Sequence, residues 1–178
     1  DSHDFLEGET TNLVIDSDGT LRLSREVHPV ELGAIADRIW TINSVLPVDG
    51  AVYLGTSPNG ILLKHAGATT EAVYPKDADA SAQAFGTIAN EHIFALGRDV
   101  AGRLLAGVSG DKARLVRFDN GRPETIFESE QDKYIFAIAL DEDGAIYLGT
   151  GPEGNIYRLS AFGGEARKLY HCRDDNVL

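Results

Sequence analysis

The chain holds a single cysteine, Cys172, in 178 residues. No disulfide can close within it, and no cysteine metal cluster can form. That fits a cytoplasmic home and equally a periplasmic or secreted one. No Asn-x-Ser/Thr acceptor for glycosylation occurs. Methionine is missing altogether, position 1 included, so we expect a processed chain or a piece of a longer one. No apolar run approaches the roughly 20 residues that a helix needs to cross a bilayer. Proline is sparse, six residues against nineteen glycines, which favours tight turns over a stiff linker. Positive charge is also scarce: 16 Lys and Arg stand against 28 Asp and Glu, a formal charge of −12. A surface of that sign repels phosphate backbones, so nucleic acid is not expected as a partner. It suits cationic ligands, metal ions or basic protein patches, and it also simply keeps a protein in solution.

What is present is ordinary globular composition, 43% hydrophobic and 25% charged, in a chain long enough to bury a sizeable core. Strand signals dominate. IWTI (39–42), AVYLGT (51–56), ILLK (61–64) and EAVY (71–74) are short apolar runs with turn residues between them. HIFAL, RLLAGV, ARLVRF and ETIF repeat that order, and YIFAIAL, AIYLGT, NIYRL and ARKLY repeat it again. Each set reads as four strands rich in β-branched and aromatic residues. A helical period is conceivable only near 78–90.

Asp49-Gly50 and Asp143-Gly144 read as hairpin pairs at positive φ, with Ala101-Gly102 at the same place in the middle copy. Gly50, Gly102 and Gly144 stand 52 and 42 residues apart. A four-stranded unit of roughly 40–45 residues is the period of a β-propeller blade. The expected fold is therefore all-β: antiparallel four-stranded blades at 36–75, 92–132 and 133–174. The extra length of the first interval falls in an inserted loop, 76–91. Residues 175–178 would be the first strand of a further blade, because Asn176-Val177-Leu178 matches Tyr134-Ile135-Phe136 in register. Residues 1–35 would supply a hairpin (12–24) and connector from a partial, ring-closing blade. Three full blades do not close a ring, so the chain is expected to be a fragment of a six- to eight-bladed one; association of copies and a compact four-bladed ring are the alternatives. The first strand of each unit is expected to be buried on both faces, with Trp40, Phe94 and Phe136 as core packing.

The pattern D-G-x-[IV]-Y-L-G-T-x-P-x-G, at 49–60 and 143–154, is followed in the last unit by Ile156-Tyr157-Arg158. It resembles the repeats of bacterial β-propellers of the WD-repeat-like, NHL-like and sensor-type regulator kinds, across residues 36–178. The middle unit departs from it, with Ala101 in place of Asp and Val108-Ser109-Gly110 in place of Thr-x-Pro. The resemblance implies a scaffold used for binding and only sometimes for catalysis.

Ligands of such a scaffold are expected at the channel mouth, where the first strands begin. One aligned position holds Arg38, His92, Tyr134 and Asn176, and the position before it holds Asp37, Glu91, Lys133 and Asp175. These vary while their neighbours repeat, which marks an exposed and diversified ring. The reading favoured is a non-enzymatic module that binds a protein, peptide or sugar ligand through Arg38, His92, Tyr134 and Asn176. The alternative is a metal-assisted hydrolase or lyase: Asp37, Glu91 and Asp175 would hold Ca²⁺, and His92 would act as general base. A third reading is a structural segment whose neighbouring domains carry the activity. Other propeller segments completing the ring are a further expected partner. The insertion offers Phe85 with Asp77, Asp79 and Glu91 as a possible anchor. Asp16-Ser17-Asp18-Gly19 and Asp141-Glu142-Asp143-Gly144 lack the length and helices of an EF-hand and read as turns. His28, His65 and His171 share no ligand spacing, and Cys172 reads as a free thiol.

Overall fold

The computed structural model describes residues 12–25, 27–75 and 90–178, in two units, Asp1–Val30 and Glu31–Leu178. The first unit contains a hairpin of β1 (Leu13–Ile15) and β2 (Leu21–Leu23). The Asp16 carbonyl accepts the Gly19 N–H at 2.9 Å, and the Asp18 carboxylate accepts the Thr20 N–H at 2.9 Å. The acidic residues of this loop therefore make the turn, as the sequence implied.

The second unit opens with a 3₁₀ helix, Gly33–Arg38, and then runs through three antiparallel four-stranded sheets. The first sheet is β3 (Ile39–Val48), β4 (Ala51–Pro58), β5 (Leu62–Ala66) and β6 (Thr69–Tyr74). The second is β7 (His92–Arg98), β8 (Leu104–Ser109), β9 (Arg114–Asp119) and β10 (Arg122–Glu128). The third is β11 (Tyr134–Leu140), β12 (Ile146–Gly151), β13 (Asn155–Leu159) and β14 (Arg167–His171). Within each, spatial order equals chain order. The unit is thus all-β and built from repeated sheets, and its strands fall on the twelve expected runs. Residues 76–89 of the expected insertion lie outside the described residues.

The turns differ in a way that composition conceals. Asp49 (φ 47°) and Gly50 (φ 81°) form a two-residue turn with both residues left-handed, the type that matches strand twist. In the third sheet only Gly144 (φ 81°) is left-handed, not Asp143. There the corner is made by Asp141, whose carbonyl accepts the Gly144 N–H at 3.0 Å and whose carboxylate accepts the Ala145 N–H at 2.8 Å. Asp99 does the same work in the middle sheet, accepting from the N–H groups of Ala101 and Arg103 and pairing with the Arg103 guanidinium at 2.7 Å. Ala101 can replace Asp in the middle copy because a carboxylate two residues earlier holds the turn.

Successive sheets interlock through a glycine notch. A β-carbon on Gly55 would lie 2.6 Å from Ile93 Cγ2, and one on Gly107 would lie 2.8 Å from Ile135 Cγ2. Each second strand thus lacks a side chain where the next sheet's first strand seats a fully buried isoleucine. Val177 meets Gly149 in the same manner. Residues 175–178 are not a strand, however. A strand needs a neighbour to pair with, and the Val177 N–H bonds instead to the Thr150 carbonyl of the preceding sheet at 3.1 Å.

The strands buried on both faces are the second ones, not the first. On β8, Leu104, Ala106 and Val108 pack with Leu62, Ile93 and Phe118, while Leu105 packs the other way with Ile135, Leu148 and Leu159. A sheet covered on both faces by neighbouring sheets requires such a continuous apolar run. On the first sheet's other face, Leu54, Ile61 and Leu63 are covered by Leu32 and Ile35 at the 3₁₀ helix.

Candidate functional site

The first strands carry an irregularity at the same place in every sheet. Pairing with the second strand skips a residue between Ile39 and Thr41, between Ile93 and Ala95, and between Ile135 and Ala137. The residues left out are Trp40, Phe94 and Phe136. A bulge of this kind kinks the strand and re-aims the extra side chain. In the second and third sheets the isoleucine goes into the notch, and in all three the aromatic is left out of the core. Trp40 is 73% exposed, and Phe94 and Phe136 are half-buried. The expectation that all three are core residues is corrected here.

The rings form a connected group across the second and third sheets. His92 stacks on Phe94 at 5.2 Å and 14°, and Phe94 meets Phe136 at 5.4 Å. Tyr134 stacks on Phe136 at 5.6 Å and offers its edge to Phe94 at 6.4 Å. On the other side, Trp40, His92 and Phe94 border a cleft of about 580 Å³ that also takes in Asn43, Ser57 and Asn90. Asn43 is itself skipped in the pairing, between Ile42 and Ser44, so β3 turns two residues out of register towards this cleft.

A chain of hydrogen bonds crosses the cleft. Thr41 Oγ1 donates to Asn43 Oδ1 at 3.0 Å, Asn43 Nδ2 donates to Ser57 Oγ, and Ser57 Oγ lies 2.9 Å from His92 Nδ1. Ser57 Oγ thus stands between the Asn43 amide and the His92 ring and touches both. The arrangement holds the imidazole in place against the Ser57 hydroxyl. Among the described residues no Lys, Arg, Asp or Glu lines the cleft.

Of the other expected residues, three touch this group. His92 and Tyr134 both touch Phe94. Asn176 lies beside Phe136, since a β-carbon on Gly151 would meet both side chains. Arg38 is half-buried, and its carbonyl accepts from Asn59 Nδ2 at 2.8 Å. Lys133 is exposed and holds its place through its backbone, donating to Gly151 at 2.8 Å and accepting from Gly110 at 2.9 Å. Asp37 and Asp175 are exposed, whereas Glu91 is half-buried and ion-paired with Arg114. Among the described residues no group of three or more His, Cys, Asp or Glu could hold a metal ion, so the three acids are not gathered into a cation site. Asp77, Asp79 and Phe85 lie outside the described residues.

A second polar centre is structural. Asp132, 1% exposed, accepts from Asn155 Nδ2 at 2.8 Å, from Tyr157 Oη at 2.9 Å and from the Glu153 N–H at 3.1 Å. It ties the segment before β11 to β13. Burial raises the Tyr157 phenol above its ordinary value; the Ser129 hydrogen bond opposes this and Asp132 adds to it. Sequence reasoning passed over Asn43, Ser57 and Asp132. For the aromatics a signal existed: in Ile-Trp, Ile-Phe and Ile-Phe, period-2 alternation sends one of each pair outward.

No family model matches the chain, and no curated protein matches it. Among solved structures it is similar to the crystal structure of a protein of unknown function from Bacteroides caccae, with 12% identity and a TM-score of 0.48. The likeness covers 83% of this chain and 49% of that one, so the chain spans about half the length of that protein.

Proposed function

We propose that the second unit is a run of β-propeller blades serving as a non-enzymatic binding module, with the bulged first strands as its ligand face. The supporting observation is the bulge repeated in three sheets, which places Trp40, Phe94 and Phe136 outside the core. A scaffold that only packed would have no use for it. The four-stranded meanders, the repeat period and the glycine notches support the blade reading. The ligand is a protein, peptide or sugar, and His92 and Tyr134 lie on the aromatic group it would contact. Asn176 lies beside that group, and Arg38 directly precedes the bulged strand β3.

The test is a set of alanine replacements at Arg38, His92 and Tyr134, measured against ligands selected from peptide and saccharide libraries. Removing His92 or Tyr134 is expected to weaken binding about tenfold, the order of a well-packed interface residue. Unchanged affinity of the triple variant for every selected ligand contradicts the proposal.

A further inference from the structure

The cleft between Trp40 and Phe94 has a composition that selects a ligand class. Its walls are an indole and a phenyl ring, and between them stand Asn43, Ser57, Asn90 and His92. Among the described residues the cleft is lined by no Lys, Arg, Asp or Glu, in a chain whose formal charge is −12. Among these residues a cationic peptide side chain would find no carboxylate partner. An anion would find no Lys or Arg among them, and would meet the repulsion of the whole surface.

The chemistry that matches an aromatic plane beside neutral polar groups is that of an uncharged sugar ring. A pyranose has a face of C–H groups that packs on an aromatic plane, and a rim of hydroxyls that both donate and accept. Trp40 offers the plane, with most of its surface open to solvent. The Thr41–Asn43–Ser57–His92 chain offers polar groups already held in place by one another, so little is lost in ordering them on binding. Resting on the binding-face reading above, we propose that this cleft binds a neutral saccharide unit, stacked on Trp40 and hydrogen-bonded at its rim by the Asn43 carbonyl oxygen and the His92 ring.

Trp40 is the only tryptophan in the chain, so its emission reports on this cleft alone. The experiment titrates the protein with linear neutral hexasaccharides of the common hexoses, pentoses and N-acetylhexosamines in α and β linkage. A hexagalacturonate and a selected peptide library serve as comparisons, and calorimetry runs in parallel. At least one neutral hexasaccharide is expected to give a saturable blue shift with a matching calorimetric Kd. Trp40→Ala is expected to weaken that Kd at least tenfold and His92→Ala by about threefold to tenfold. Trp40 is exposed, so its replacement leaves folding intact. Silence of every neutral sugar while the acidic sugar or a peptide shifts the emission overturns the sugar class and leaves the binding face standing. Silence of all probes overturns both. Binding of a neutral sugar unaffected by Trp40→Ala overturns the placement.

Discussion

Trp40, Phe94 and Phe136 owe their position to one skipped residue each, and that is a matter of backbone geometry rather than hydrophobicity. The side chain beside each of them, Ile39, Ile93 or Ile135, takes the inward place. In the two fully formed notches the fit leaves no room for a β-carbon opposite. Gly107→Ala is therefore expected to cost about 1–3 kcal/mol, the usual range for overpacking, measured as a loss in urea-unfolding free energy. Asp132 is the other residue on which much depends. Its carboxylate is the acceptor for three donors in the interior, and Asp132→Ala leaves them unsatisfied at a cost of about 2–4 kcal/mol by the same measurement. The tyrosines set an alkaline limit. Burial is the leading cause that holds the Tyr74 and Tyr157 phenols above the ordinary value of about 10. A raised folded-state value means that the unfolded chain releases its protons first. The stabilisation from the neutral phenols is complete below about pH 10 and is lost as pH rises through their folded-state values. Tyr157→Phe should flatten the fall in melting temperature above pH 10 while leaving the neutral region governed by the lost hydrogen bonds of Tyr157 Oη.

At the scale of strands and turns, the hairpin between β11 and β12 is held by Asp141 more than by the Asp143-Gly144 pair that advertises it. Asp141→Ala removes acceptors for the Ala145 N–H and for Tyr147 Oη. It is expected to lower stability by about 1–2 kcal/mol, whereas Asp143→Ala should fall within about 0.5 kcal/mol of the parent; chemical denaturation distinguishes them. Strand positions were legible because alternating apolar runs and glycine turns recur in register three times. What escaped was the assignment of faces. Strands β7 and β8 are both rich in apolar residues, and composition alone does not say which is covered twice. Ile93 packs into Gly55 of the sheet before it, and that partner lies 38 positions away in the chain. The ring residues His92 and Tyr134 could be found because they vary while their neighbours repeat. Ser57 and Asn43 could not, since a serine before a proline and an asparagine in an apolar run look like turn and edge residues until a bulge brings them to His92.

At the scale of the whole second unit, one rule of assembly recurs: the first strands of the second and third sheets each lock an isoleucine into the preceding sheet and leave the neighbouring aromatic out of the core. The lock predicts energetic coupling. Gly107→Ala and Ile135→Ala should each destabilise, and the double variant should lose less than the sum, because the added methyl fills space that the shortened side chain vacates. The display is tested most directly by acrylamide quenching of the single tryptophan in the ligand-free protein. With Trp40 73% exposed, the account predicts a water-like, red-shifted emission that acrylamide quenches nearly as well as free tryptophan. A blue-shifted emission shielded from acrylamide would place the indole in the core and contradict it.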